Sequence, residues 1–277
     1  MKTLGHLFIE QILLEPGQEW VKTAGVWHFL RASSGAAYWL GGNQCRPLAE
    51  GEMLVITPAA EGLVRASQIG KAVFHAFSFA PDVLCGFFTV LERHLLDTGE
   101  ANGFEKVRCL PSTHPVTLKF TALANSSLRP DSLAQRVEAL SLVAALFDEE
   151  IARHRSPASP GTSAQDRFTE LVARMPDTEL IRYSPGQLAR LCGCSVRHFN
   201  RLFRDSFGTS TRARQTELRL LKARQLLGAS DQKIRQIAAD TGYRNLSLFN
   251  ALFKRRFGAT PSEWRHKATA GNSDTQT

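Results

Sequence analysis

Residues 234–265 read IRQIAADTGYRNLSLFNALFKRRFGATPSEWR. Ile234, Ile237 and Ala238 fall at i, i+3 and i+4, the stripe of a short amphipathic helix. Gly242 follows and can take the positive φ that a tight turn often requires. A second apolar series, Phe249, Leu252, Phe253 and Phe257, then marks another helix. Two short helices broken by a glycine turn are the pattern of a helix-turn-helix, whose second helix enters the DNA major groove. With the second apolar face buried, Asn245, Leu246, Ser247, Asn250 and Ala251 point outward. Lys254, Arg255 and Arg256 come next, so this surface suits bases and phosphates together.

A weaker copy lies about fifty residues earlier. Leu188-Ala189, Gly193, Phe199, Phe203 and Phe207-Gly208 match Ile237-Ala238, Gly242, Phe249, Phe253 and Phe257-Gly258. The offset is 49 before the turn and 50 after it, so the second turn should be one residue longer. A single motif of this kind is weak evidence. Two in register on a basic background are far harder to obtain by chance. In the first copy Phe199, Leu202, Phe203 and Phe207 go inward, leaving Arg197, His198, Asn200, Arg201 and Arg204 facing out.

The C-terminal hundred residues resemble the DNA-binding domain of the AraC/XylS family of bacterial transcription regulators. The resemblance rests on Ser195, Arg201-Leu202-Phe203, Arg219-Leu220, Ala223, Leu226-Leu227, Gly242-Tyr243, Phe253-Lys254, Pro261-Ser262 and Trp264-Arg265, with the glycines and phenylalanines above. It covers a little over a third of the chain. It implies double-stranded DNA and RNA polymerase as partners, and base-contact positions falling on Arg197, Asn200 and Arg201. In the second unit those positions are Leu246, Ser247, Asn250 and Ala251; Ala251 departs from the polar or arginine side chain commoner in the family. The first helix should therefore carry most base discrimination. The second should add phosphate grip through Lys254 and Arg255, with a thymine-methyl contact from Leu246.

Charge is distributed to match. Residues 166–266 carry 19 Lys/Arg against 9 Asp/Glu, whereas residues 1–153 carry 13 against 16. The basic half is the half with the motifs, as binding to a polyanion needs. Five scattered cysteines, at 45, 85, 109, 192 and 194, suggest reduced thiols rather than a disulfide scaffold. Cys192-x-Cys194 has no second ligand pair nearby, so neither metal nor cofactor is expected. Glu10 and Gln11 interrupt the short apolar run Leu7–Leu14, which excludes a signal peptide or membrane span there and points to the cytoplasm.

The expected organisation is α+β and multidomain: residues 1–153 an effector-binding and dimerisation domain, 154–165 a Ser/Pro/Gly linker, 166–266 the DNA-binding domain, 267–277 a flexible tail. From Leu7 to about Phe79, apolar runs alternate with Gly, Pro and Ser turns, a β pattern. Glu50–Pro58 is similar to a rim strand of small cupin rolls. His28 and His75 sit singly between apolar neighbours and read as packed histidines rather than ligands. An eight-strand roll can just hold one small ligand among aromatic side chains, and Trp27, Phe29, Tyr38, Trp39 and Phe77 are the candidate lining. Arg31, Arg46 and Arg65 could offer an acidic effector a counter-charge. The period turns helical over Val83–Leu96 and Ser132–His154. In the latter, Leu133, Val137, Leu140, Ala144 and Phe147 form a stripe that either packs on the roll or joins two subunits.

Three functions compete. The first is an effector-responsive transcription regulator, usually an activator in the family and expected to be a homodimer. The second is a regulator whose N-terminal domain binds a protein partner. The third is a DNA-targeted alkyl-transfer enzyme, but that requires a zinc-held cysteine cluster and a Pro-Cys-His element that the chain lacks; no enzyme is expected.

Overall fold

The computed structural model describes residues 5–42, 44–98, 105–126, 128–129, 132–154 and 163–273. It divides into two units, Met1–Pro81 with Leu95–Ser156, and Asp82–His94 with Pro157–Thr277. Most of the expected linker lies outside the described residues.

The described residues of the first unit form nine strands: β1 (Glu10–Leu14), β2 (Glu19–Val21), β3 (Trp27–Ser34), β4 (Ala37–Gly41), β5 (Gln44–Leu48), β6 (Met53–Ile56), β7 (Leu63–Ala66), β8 (Ala72–Phe79) and β9 (Val107–Leu110). They form a five-stranded sheet, β1-β8-β3-β6-β9, and a four-stranded sheet, β2-β7-β4-β5. These strands pair antiparallel throughout, with Leu30 opposite Ala76 and Trp39 opposite Val64, and an isolated bridge from His6 to Ser78 is parallel. Leu30, Ile56 and Phe74 of the first sheet and Trp20, Trp39 and Val64 of the second share one buried cluster.

Side chains alternate across a strand, so residues 27, 29, 77 and 79 take the other face of the large sheet. Phe29 and Phe77 stack there at 4.6 Å. Helices α2 (Pro115–Ala124) and α3 (Leu133–His154) cover them: Phe120 meets Phe77 edge-on at 5.5 Å and Phe147 meets Trp27 at 4.8 Å. Ala139, Leu142, Val143, Leu146 and Phe147 form the buried face of α3, while Leu133 and Val137 are 70% and 54% exposed. The stripe read from sequence is thus divided. Phe147 packs inward, Leu140 lies half-buried, and Leu133, Val137 and Ala144 face out.

His28 is fully buried against the edge of Trp20, 5.2 Å away, with its Nε2 beside the backbone N–H (3.0 Å) and carbonyl (3.1 Å) of Thr23. Burial lowers its pKa to about 4, the Thr23 bond opposing the shift and Lys22 adding to it. Half-buried His75 lies 2.7 Å from the Ser33 hydroxyl. Both are packed, hydrogen-bonded histidines.

The second unit is helical: α4 (Ala164–Arg174), α5 (Asp177–Leu180), α6 (Pro185–Leu191), α7 (Val196–Phe207), α8 (Thr211–Ala229), α9 (Ile234–Asp240), α10 (Leu246–Phe257) and α11 (Pro261–Ser273). It has two cores. Phe168, Leu188, Phe199, Phe203 and Phe207 form one together with Leu218 and Leu221 of α8. Ile237, Ala238, Phe249 and Phe253 form the other together with Leu220, Ala223 and Leu227 of the same helix. A single rigid helix is therefore a wall of both cores, which fixes the spacing of α7 from α10.

The segment Asp82–His94 completes the first of these cores. Val90 is buried in it, and the N–H of Val90 donates to the Met175 carbonyl at 2.9 Å. Arg93 and Asp177, both without exposed side-chain surface, pair at 2.9 Å. Asp177 also accepts from the Gly86 N–H at 2.7 Å, and Asp82 pairs with Arg224 at 2.7 Å. The helical period expected from Val83 is delayed until α1 (Val90–Thr98). Gly86 turns the chain at φ 86°, and Thr89 bridges Pro176 in extended form before the helix starts.

Candidate nucleic-acid interface

The two motifs are built alike. Each first helix ends in a glycine of positive φ, Gly193 at 59° and Gly242 at 90°. In each turn a backbone N–H reaches back to the alanine carbonyl of the helix just ended, Cys194 to Ala189 (3.0 Å) and Tyr243 to Ala238 (2.8 Å). Four residues separate α6 from α7 and five separate α9 from α10, the one-residue difference read from sequence. Ser195 caps α7 by accepting from the His198 N–H, Asn245 caps α10 by accepting from that of Leu248, and both helices end on left-handed glycines, Gly208 and Gly258. Ser184 caps α6 ahead of Pro185 in a reciprocal box with Gln187.

An arginine lies against each turn: Arg167, which no motif singles out, and Arg219, which the family resemblance includes without a role. Arg167 of α4 donates from Nε to the Cys192 carbonyl at 2.8 Å, beside Gly193. Arg219 of α8 stands at the corresponding place: a Cβ on Gly242 would lie 3.3 Å from its Nε. Arg167 and Arg219 are 52 residues apart, three more than the repeat's offset before the turn, so they take similar places from outside its register.

On α7, Phe199 and Phe203 have no exposed surface, so the opposite face is outward. Arg197, Asn200, Arg201 and Arg204 are exposed and His198 half-exposed, and among the described residues none of the three arginines has an ion-pair partner. The Asn200 carbonyl oxygen accepts from the Thr211 hydroxyl at 3.2 Å, which orients the amide while leaving its N–H₂ outward for an acceptor. Arginine suits the O6/N7 edge of guanine, and asparagine the N6/N7 edge of adenine.

The outer face of α10 is different in kind. Ser247, Ala251, Lys254 and Arg255 are exposed, as expected. Asn245 spends its oxygen on the helix cap. Asn250 is half-buried, its Oδ1 turned in without a hydrogen-bond partner. Leu246 and Leu248 are 38% and 53% exposed, and Leu248, overlooked in the sequence reading, stands where α7 has His198. The cations of this helix gather in its last turn, as Lys254, Arg255 and Arg256, with Arg256 held by Glu217 at 2.7 Å. Burial pushes the Tyr243 hydroxyl up to about 12, so it stays neutral beside the Thr216 carbonyl, 3.5 Å away.

The five aromatic residues offered as an effector lining do not converge. Trp39 belongs to the core between the sheets, half-buried Tyr38 points to the opposite side of β4, and Trp27, Phe29 and Phe77 lie under α2 and α3. A one-residue step along a strand changes the face, and the sequence could not say which face the helices would cover. Of the arginines, Arg65 is hydrogen-bonded to Glu19, Arg46 lies 4.0 Å from Glu52, and Arg31 donates to Ser33 at 3.3 Å. No described helix is long and apolar enough to cross a membrane.

A family model described as a helix-turn-helix domain matches residues 188–267. The HTH-type transcriptional regulator GlxA of Rhizobium meliloti (strain 1021) is 42% identical over 120 residues, 40% of this chain and 37% of that protein. The HTH-type transcriptional activator RhaR of Escherichia coli (strain K12) is 30% identical over 117 residues, 41% of this chain and 40% of that protein. The chain therefore spans less than half the length of either relative. Among solved structures, an AraC-type regulator from Chromobacterium violaceum is 28% identical, over 38% of this chain and 91% of that one, with a TM-score of 0.32. Residues 188–267 thus form a helix-turn-helix domain of the AraC type, and over this part the chain is similar to HTH-type transcriptional regulators.

Proposed function

We propose that the protein is a sequence-specific DNA-binding transcription regulator in which α7 reads bases and α10 chiefly grips. The observation that carries this reading is the outer face of α7: Arg197, Asn200 and Arg201 are exposed together while Phe199 and Phe203 are buried behind them. The excess of 19 Lys/Arg over 9 Asp/Glu in residues 166–266 supplies the attraction to phosphate. Because α8 is a wall of both cores, α7 and α10 would enter successive major-groove faces about one helical turn apart.

The finer parts of the proposal concern the first unit. We read its two sheets as a cupin-like roll that responds to an effector, and the exposed Leu133 and Val137 of α3 as the seam of a homodimer. Activation through RNA polymerase in the cytoplasm completes the picture; the relative RhaR is itself named an activator. Selecting bound sequences from a random duplex pool tests the core of this reading. The expected product is a two-part motif with guanine and adenine prominent in the part that α7 reads. A pool that remains random after repeated selection would exclude sequence-specific reading. Thermal shift of the full chain against a metabolite library tests the effector, because a ligand of the native state raises apparent stability.

A further inference from the structure

Between α8 and α10 lies a cleft of about 730 Å³. Leu220, Leu248 and Leu252 give it apolar lining, and Arg212, Arg244 and Arg255 line it as well. All three arginines are exposed, and among the described residues none of their guanidinium groups makes an ion pair or a hydrogen bond. The other two arginines of the cleft are already engaged, Arg256 with Glu217 and Arg219 with the Ile181 carbonyl. Three unneutralised cations around one concavity repel one another unless an anion enters.

The cleft flanks recognition helix α10, and its α8 wall begins next to a residue bonded to α7. Arg212 follows Thr211, whose hydroxyl is bonded to Asn200 on the outer face of α7. Leu248 and Arg255 belong to α10 itself. Arg244 comes from the turn that leads into α10, immediately before its cap Asn245. A duplex whose major groove received α10 would bring its backbone close to this side of the helix.

We propose that the cleft seats a stretch of DNA phosphodiester backbone, with Arg212, Arg244 and Arg255 on successive phosphates and the lining leucines against the sugars. The inference rests on the DNA-reading proposal above and adds to it a specific anchoring site. Guanidinium matches a phosphate through paired N–H donors, and such contacts fix register without reading sequence. The site supplies to the second motif the grip that its recognition face, with serine and alanine opposite Arg197 and Arg201 of the first, lacks.

Binding of the full chain to a selected site and to a scrambled duplex, titrated with potassium chloride, tests this. Each lost phosphate contact should make the slope of log K against log salt shallower by about 0.9. Arg212→Ala with Arg244→Ala should therefore flatten it by about 1.8, weaken both duplexes by the same factor and leave their ratio unchanged. Arg212→Lys with Arg244→Lys should keep most of the slope, which separates charge from fold. Unchanged slope and affinity in the alanine pair, beside normal wild-type binding, would overturn the cleft assignment alone. A loss confined to the selected duplex would overturn it too, because the arginines would then be reading bases. Inorganic phosphate at matched ionic strength should compete no better than chloride; strong competition would assign the cleft to a free anion instead. A wild-type chain that binds no duplex would instead refute the DNA-reading proposal.

Discussion

Arg201 and Lys254 are both exposed cations on recognition helices, yet they should fail in different ways. Arg201 lies amid the outer face of α7 beside Arg197 and Asn200, whereas Lys254 opens the basic last turn of α10. Arg201→Ala should cost roughly 1–3 kcal/mol of specific binding and relax selectivity at one base pair. Lys254→Ala should weaken operator and random DNA alike. Parallel titrations on both duplexes decide the matter, and equal losses for Arg201→Ala would remove its reading role. His28 makes a prediction of another kind. Its folded pKa, about 4, lies below the ordinary 6.5 because burial disfavours the cation. The unfolded chain therefore binds the extra proton first. This contribution to stability is present above about pH 6.5, fades as pH falls toward 4, and amounts to about 3 kcal/mol. Urea unfolding of wild type and His28→Gln at pH 7 and pH 4.5 should show a smaller drop in the variant; equal drops would mean that carboxylates alone set the acid response. That His28 is packed was legible from its apolar neighbours Trp27 and Phe29. That Trp27 and Phe29 lie under helices was not, because alternation tells which residues share a face and not what covers it.

At the scale of elements, the tandem motifs were the most legible part of the chain. Phenylalanines at helical spacing, two glycine turns and two cap residues all demand the same local structure. Much less legible was Asp82–His94, because its place is set by contacts across more than eighty residues of sequence. Asp82 pairs with Arg224 and Arg93 with Asp177, and no local pattern announces either. The Arg93–Asp177 pair has no solvent to fall back on. Arg93→Met should leave a buried carboxylate without its cation and cost on the order of 3–5 kcal/mol. Denaturation read by hydrogen exchange in α4–α8 measures this, and Arg93→Met combined with Asp177→Leu should recover part of the loss. A double variant as unstable as the sum of two independent losses would show that the pair is not coupled. On α3 the expectation is simpler. Leu133 and Val137 are largely exposed within the unit, so Val137→Glu should leave the fold intact and convert a dimer to monomers in sedimentation. Unfolding of this variant, or a wild type that is already monomeric, would remove the α3 seam.

For the whole molecule, charge is the property that both sequence and fold bring to bear on DNA. The C-terminal excess is concentrated on residues 166–266, while residues 1–153 carry 13 basic against 16 acidic side chains. Neutralising on the order of 6 phosphates per subunit should give log K a slope near −5 against log salt. The measurement belongs on the full chain, because a cut before Pro157 would remove Val90 from the first helical core and Arg93 from Asp177. The acidic residues of the first unit should add almost nothing to the slope. Glu50 and Glu138 are exposed there, so Glu50→Gln with Glu138→Gln can test this without disturbing a core. Over about 50–200 mM salt the double variant and wild type should give parallel lines. Were wild type nearly insensitive to salt, the electrostatic account of binding would be wrong. Were the variant much steeper than wild type, acidic side chains would be competing with DNA for the basic face. Control of the regulator would then be a matter of relieving that competition, not of bringing two DNA-binding units together at high effective concentration.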